Sequence, residues 1–351
     1  MFFQLKTRFA DKKLRTMTAI AILLLGYCHV AVSSSTPQLA VDLHTQGFPA
    51  GAEVKFGVFY TSEDRLALFF DQQLPGTGLH SHAFQVMVLG KDGQKSAQLL
   101  VHGDPKAIDI AAGPGGGVLV GREGKLDFYG ANLQLLRSFP LSPATTGVRF
   151  DRERNQLVVM TVEREMGHRT AHFLNGNTLQ ESATISYPLN STAVFGENQL
   201  VYTVTGACTG SGHIVSEQHR WRSLDNIPAC DPLAFITPES LAYAFDEHLV
   251  VVDSTGKELF QAGIPASATF QAPSFVGLSE DHTRLAITAL KKKTLASGWP
   301  YHREVFIYDL LSHHIIFKRA LESDSAAWAL SPDGHQLAII SQGSLLLIPV
   351  P

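Results

Sequence analysis

Three observations on the sequence predict an all-β fold, a seven-bladed β-propeller of four-stranded antiparallel blades. Apolar residues come in short runs separated by turn residues, a pattern of strands and not of helices. Hairpin-turn signals recur 38 to 52 residues apart, about one propeller blade each. One unit is clear at the C-terminus, where AAWAL, QLAII and SLLLIPV are joined by Ser331-Pro332-Asp333-Gly334 and Ser341-Gln342-Gly343-Ser344.

The first of these turns has a mechanism. Pro332 presets φ for a type I turn, Asp333 tolerates the next position, and Gly334 takes the left-handed one that closes the hairpin. With 351 residues, 45% hydrophobic and 17% charged, the chain has the material for a large core. A formal charge of -4 and a pI of about 6.4 argue against a nucleic-acid partner or a polybasic membrane binder.

Taken in order, the chain begins with a basic segment, the apolar run Ala19 to Gly26 and small residues ending in Ser33-Ser34-Ser35. This order is that of a secretory signal peptide, assigned to residues 1–35, with a single propeller over 36–351. The apolar run is far shorter than the roughly 20 residues of a spanning helix, so the mature chain is expected to have no transmembrane segment. The leader holds Lys6, Arg8, Lys12, Lys13 and Arg15 against Asp11, so its removal takes the formal charge from -4 to -8. An exported protein is expected, periplasmic or extracellular, with a lipid anchor on Cys28 as the alternative. Export leaves Cys208 and Cys230 as the remaining cysteines, and a disulfide between them is expected, worth about 3 kcal/mol. Two buried thiols are the alternative.

The first hairpin turn of each blade is marked by Glu63, Pro114, Arg152, Gly196, Pro238, Glu280 and Pro332. The last unit ends after its third strand, which would leave a hydrophobic sheet edge open. Gln38 to His44, QLAVDLH, alternates apolar and polar residues and is expected to close the last blade as its outer strand. Almost no helix is expected after the leader.

The Ser331, Pro332, Asp333, Gly334, Leu337 and Ala338 turn resembles the signature of bacterial WD40-like, YVTN and TolB-type propellers. Echoes of it stand at Ser279, Asp281, Leu285 and Ala286 and at Ser62, Asp64, Leu66 and Ala67. The resemblance implies a binding platform.

The connections between second and third strands are long in four blades: Asp71 to Ser81, Glu163 to Arg169, Gly206 to Glu217 and Lys291 to Arg303. In an up-and-down blade all of them emerge on one face, where a rigid scaffold positions variable loops. His80 and His82, at alternate positions, together with His168, form one candidate set there. Neutral imidazoles on neighbouring loops suit a zinc or copper ion; solvated loop histidines are the plainer reading, and no cofactor is predicted. Trp299, Tyr301 and Arg303, beside Lys291 to Lys293, form an aromatic and basic cluster of the kind that dominates binding hot spots. Trp328 and the strand phenylalanines are assigned to the core.

No Gly-x-Ser-x-Gly or HExxH run is present, and no catalytic residue is assigned. The expected function is therefore non-catalytic binding or scaffolding through the long-loop face, with a protein of the envelope or exterior, or a polymer, as partner. The alternative is an exported hydrolase or lyase with its site at the mouth of the central channel.

Overall fold

The computed structural model of the chain describes residues 39–48, 56–73, 82–103, 108–122, 124–142, 145–151, 155–163, 167–189, 191–195, 201–205, 212–215, 232–237, 239–245, 248–265, 273–292, 301–320, 326–341 and 343–351. After β1 (Leu39–Asp42) the first sheet is β2 (Phe56–Ser62), β3 (Arg65–Gln73), β4 (His82–Gly90) and β5 (Lys95–Gly103). The second is β6 (Asp109–Ala112), β7 (Val118–Arg122), β8 (Lys125–Tyr129) and β9 (Leu135–Pro140). The third is β10 (Thr145–Asp151), β11 (Gln156–Glu163), β12 (His168–Asn175) and β13 (Glu181–Pro188). A three-stranded sheet follows, β14 (Ser191–Phe195), β15 (Val201–Thr205) and β16 (Gly212–Val215). The fifth is β17 (Pro232–Thr237), β18 (Ser240–Phe245), β19 (His248–Asp253) and β20 (Glu258–Gly263). The sixth is β21 (Ser274–Leu278), β22 (Arg284–Lys292), β23 (Tyr301–Asp309) and β24 (His314–Ala320). The last joins β25 (Ala326–Leu330), β26 (Gln336–Ser341) and β27 (Ser344–Pro349) to β1.

The fold is a β-propeller of antiparallel blades. Among the described residues six blades have four strands, where seven were expected; the sheet β14–β16 has three. First strands neighbour one another in sequence order, and β2 lies beside β25, so they ring a central channel. The markers Glu63, Pro114, Glu280 and Pro332 fall on the connection between a first and a second strand, while Arg152, Gly196 and Pro238 lie outside the described residues.

Packing explains why middle strands read as unbroken apolar runs while an outer strand alternates. Leu337 to Ile340 of β26 and Leu249 to Val252 of β19 are buried throughout, since a blade is covered on both faces by its neighbours. On β23, Val305 and Ile307 pack toward the last sheet, and Phe306 and Tyr308 toward the fifth. Outer β13, ESATISYP, buries only Ala183, Ile185 and Tyr187.

The expected closure forms. β1 pairs antiparallel with β27, Leu39 opposite Leu347 and Asp42 opposite Ser344. Val41 and Leu43 enter the core between the last and first sheets, and the Leu43 amide donates to the Gly343 carbonyl at 2.8 Å. Besides strands, only two short 3-10 turns occur among the described residues, Leu43–Gln46 and Pro114–Gly116.

Two first turns are built alike. Ser331 Oγ donates to Asp333 at 2.5 Å and accepts from the Gln336 amide at 2.8 Å; Ser279 Oγ donates to Asp281 at 2.6 Å and accepts from the Arg284 amide at 2.9 Å. Gly334 closes the former at φ 73°, and His282 takes the same left-handed place in the latter at φ 57°. Arg284 ties the two together through the Gly334 carbonyl at 2.9 Å. In the first sheet the echo closes differently, as a tight turn with Ser62 opposite Arg65.

Candidate functional site

Six first strands deliver an aromatic side chain to the channel: Phe59, Phe150, Phe195, Phe235, Phe275 and Trp328. Trp328, Phe59, Phe150 and Phe195 also pack against the cores between blades and Phe235 is buried, as the assignment of Trp328 and the strand phenylalanines to the core expects; Phe275 departs from it. An innermost strand has no further strand of its blade to cover it, so its side chains face the opening as well as the neighbouring blades. Phe275 keeps 44% of its surface exposed, and Trp328 is half-buried.

Two cavities share this wall. One of ≈ 390 Å³ lies between β10, β14, β17 and β21, and a second of ≈ 250 Å³ lies among β2, β21 and β25, with Phe150, Leu278 and Glu280 common to both. The larger reaches Asp151, Gln156, Ser279, Glu280 and His282, which belong to first turns. First turns lie on the face opposite the connections between second and third strands. The channel site therefore opens on the tight-turn face, not on the elaborated one.

Two guanidinium groups stack on the wall. Arg149 lies 5.7 Å from the centroid of Phe195 and Arg303 5.6 Å from that of Trp328, cation–π geometry in each case. Burial pushes the Tyr187 hydroxyl above its ordinary pKa, against the opposing pull of Arg169 and Arg149.

Three of the sequence-predicted residues lie at the other face. His82, His168 and Tyr301 each begin a third strand, opposite Gln73, Glu163 and Lys292 respectively. The ladder of β22 and β23 thus extends to Lys292 and Tyr301, which shortens the connection expected over Lys291 to Arg303 to residues 293–300. Arg303, read as a loop residue, is the third residue of β23 and stacks on Trp328. His168 is exposed. His80, Trp299, Cys208 and Cys230 lie outside the described residues. Among the described residues no three His, Cys, Asp or Glu side chains gather around a common point for a metal. His172 instead bridges Glu181 at 2.8 Å and Thr161 at 3.2 Å, and its contact holds the Glu181 carboxyl below its usual range.

The channel aromatics escaped the sequence reading although a signal existed. Each stands within five residues before a marker turn, as in VRFDR, AVFGE, AFITP and AWALSP. Strand periodicity alone does not separate a channel-facing aromatic from one packed between blades.

No protein-family model and no curated protein sequence matches the chain. Solved structures do. BBS1N in complex with ARL6DN is similar at 14% identity and TM-score 0.50, covering 90% of this chain and 97% of that one. Kluyveromyces lactis Hsv2 is similar at 13% identity and TM-score 0.49, covering 70% of this chain and 74% of the other. At these identities the likeness concerns the fold alone.

Proposed function

We propose that the chain is an exported, seven-bladed propeller that acts by binding and scaffolding, without catalysis. One observation supports this reading: six first strands each bring an aromatic side chain to the cavity walls, the residue type that anchors binding surfaces. In this reading β14–β16 belong to the remaining blade. Export rests on the basic, apolar and small-residue order of residues 1–35.

The partner is an envelope or extracellular protein held on the face where β4, β12 and β23 begin. Tyr301 and Arg303 there bring the residue types that anchor protein interfaces. The test is affinity capture from cross-linked envelopes with the mature chain and with residues 293–300 replaced by a short Gly-Ser linker. A reproducible partner captured by the first and lost with the second is the expected result. Equal capture by both removes this surface from the proposal, and turnover of ester, peptide or glycoside substrates by the purified protein would overturn the non-catalytic reading.

A further inference from the structure

We propose that the larger channel cavity binds a small aromatic monoanion, a planar ring system bearing one carboxylate or sulfonate. The inference concerns the tight-turn face, so it stands or falls separately from protein binding at the opposite face.

Size comes first. A cavity of ≈ 390 Å³ lies within the range of small-molecule sites and is far too small for a folded partner. Its walls then select the body of the ligand: Phe150, Phe195, Phe235 and Phe275 come from separate strands and line it. Phe275 is 44% exposed, and a ring system laid against it would remove apolar surface from water while stacking on a π-face.

Arg149 selects the charge. Its side chain is exposed in the cavity wall and oriented by the Phe195 ring 5.7 Å away. Among the described residues it has no carboxylate within ion-pair distance. A planar guanidinium beside an aromatic ring can receive a carboxylate or sulfonate through two parallel hydrogen bonds. An organic cation would have to share the cavity with this guanidinium.

The rim limits that charge. Asp151 leaves β10 on the same side as Arg149, two residues on, and Glu280 stands on the wall shared with the second cavity. One negative group can sit at the Arg149 side of the cavity, whereas a polyphosphate would reach both acids.

Paired probes test the site on the full mature chain. 1-Anilinonaphthalene-8-sulfonate carries the anion, and N-phenyl-1-naphthylamine has the same rings without it. The expected result is saturable 1:1 fluorescence enhancement with both. Arg149→Gln should weaken the sulfonate probe at least tenfold and leave the neutral probe within twofold, while Phe275→Ala weakens both. On the unaltered protein, 1-naphthoate should displace the neutral probe and 1-naphthylmethylammonium should not, a comparison independent of how the variants fold. Equal displacement by the two, or no saturable binding of either probe, overturns the proposal.

Discussion

Phe306 and Phe275 belong to the same sheet and meet opposite fates. Phe306, on the third strand, is fully buried between the fifth and sixth sheets; Phe275, on the first, keeps 44% of its surface toward the channel. The charged groups divide in the same way. Asp127, on β8, is completely buried and held by Arg122 at 2.5 Å, Ser138 at 2.6 Å and Lys125 at 3.0 Å. Arg149, on the channel wall, is exposed and lies against the Phe195 ring. The spaces between blades are thus closed, and the space they surround is left open.

The sharpest way to break this contrast is to open the ring. Deleting residues 38–45 removes β1 and with it buried Val41 and Leu43. At about 1.5–3 kcal/mol for each such side chain, the loss is roughly 5 kcal/mol. Differential scanning calorimetry should show a melting temperature lower by on the order of 10 °C. An unchanged melting temperature would mean that the closure contributes nothing to stability.

Truncating the two phenylalanines compares the regions directly. Phe306→Ala should cost about 3–5 kcal/mol by urea denaturation, from lost burial together with a cavity. Phe275→Ala should cost about 1 kcal/mol, because much of its surface is already exposed. Equal losses would show that the channel wall is core after all.

Asp127 sharpens the comparison through pH. Burial by itself would raise its pKa, but the hydrogen bonds from Ser138, Lys125 and Arg122 and the Arg122 charge hold it below the ordinary value. A carboxyl with a depressed folded pKa stabilises above its unfolded value, about 3.9, and that contribution is lost as pH falls through the folded pKa. Asp127→Asn should therefore cost about 3 kcal/mol at pH 7, with the gap from the unaltered protein narrowing below about pH 4. A gap that stays constant down to pH 3 would assign the loss to packing instead.

The turns between third and fourth strands show how far local chemistry reads. Gly93 and Gly256 take the left-handed position at φ 73° and 80°, the place a three-residue hairpin loop reserves for glycine. Leu133 and Leu179 adopt the same conformation at φ 58° and 57° although their side chains disfavour it. Each is held by the apolar core its side chain enters. A register shift accompanies this turn in five sheets, after Val88, Phe128, Phe173, Val251 and Ile307. The turn is visible in sequence where glycine supplies it and hidden where burial compels a leucine.

The order of the blades, the first turns at Glu63, Pro114, Glu280 and Pro332 and the closing strand were determined by the sequence alone. Their causes act over a few residues: proline and glycine dihedrals, serine and aspartate bonding to nearby amides, and alternation along a strand. The channel was decided only in three dimensions. Tyr60 bonds Gln336 across 276 residues at 2.9 Å, and contacts at that distance set which strand of each blade is innermost. Whether an aromatic beside a turn becomes core or lining depends on that ring geometry. For this reason two aromatics of first strands differ: Trp328 packs in the core between the sixth and last sheets, as it reads in sequence, while Phe275 keeps 44% of its surface exposed.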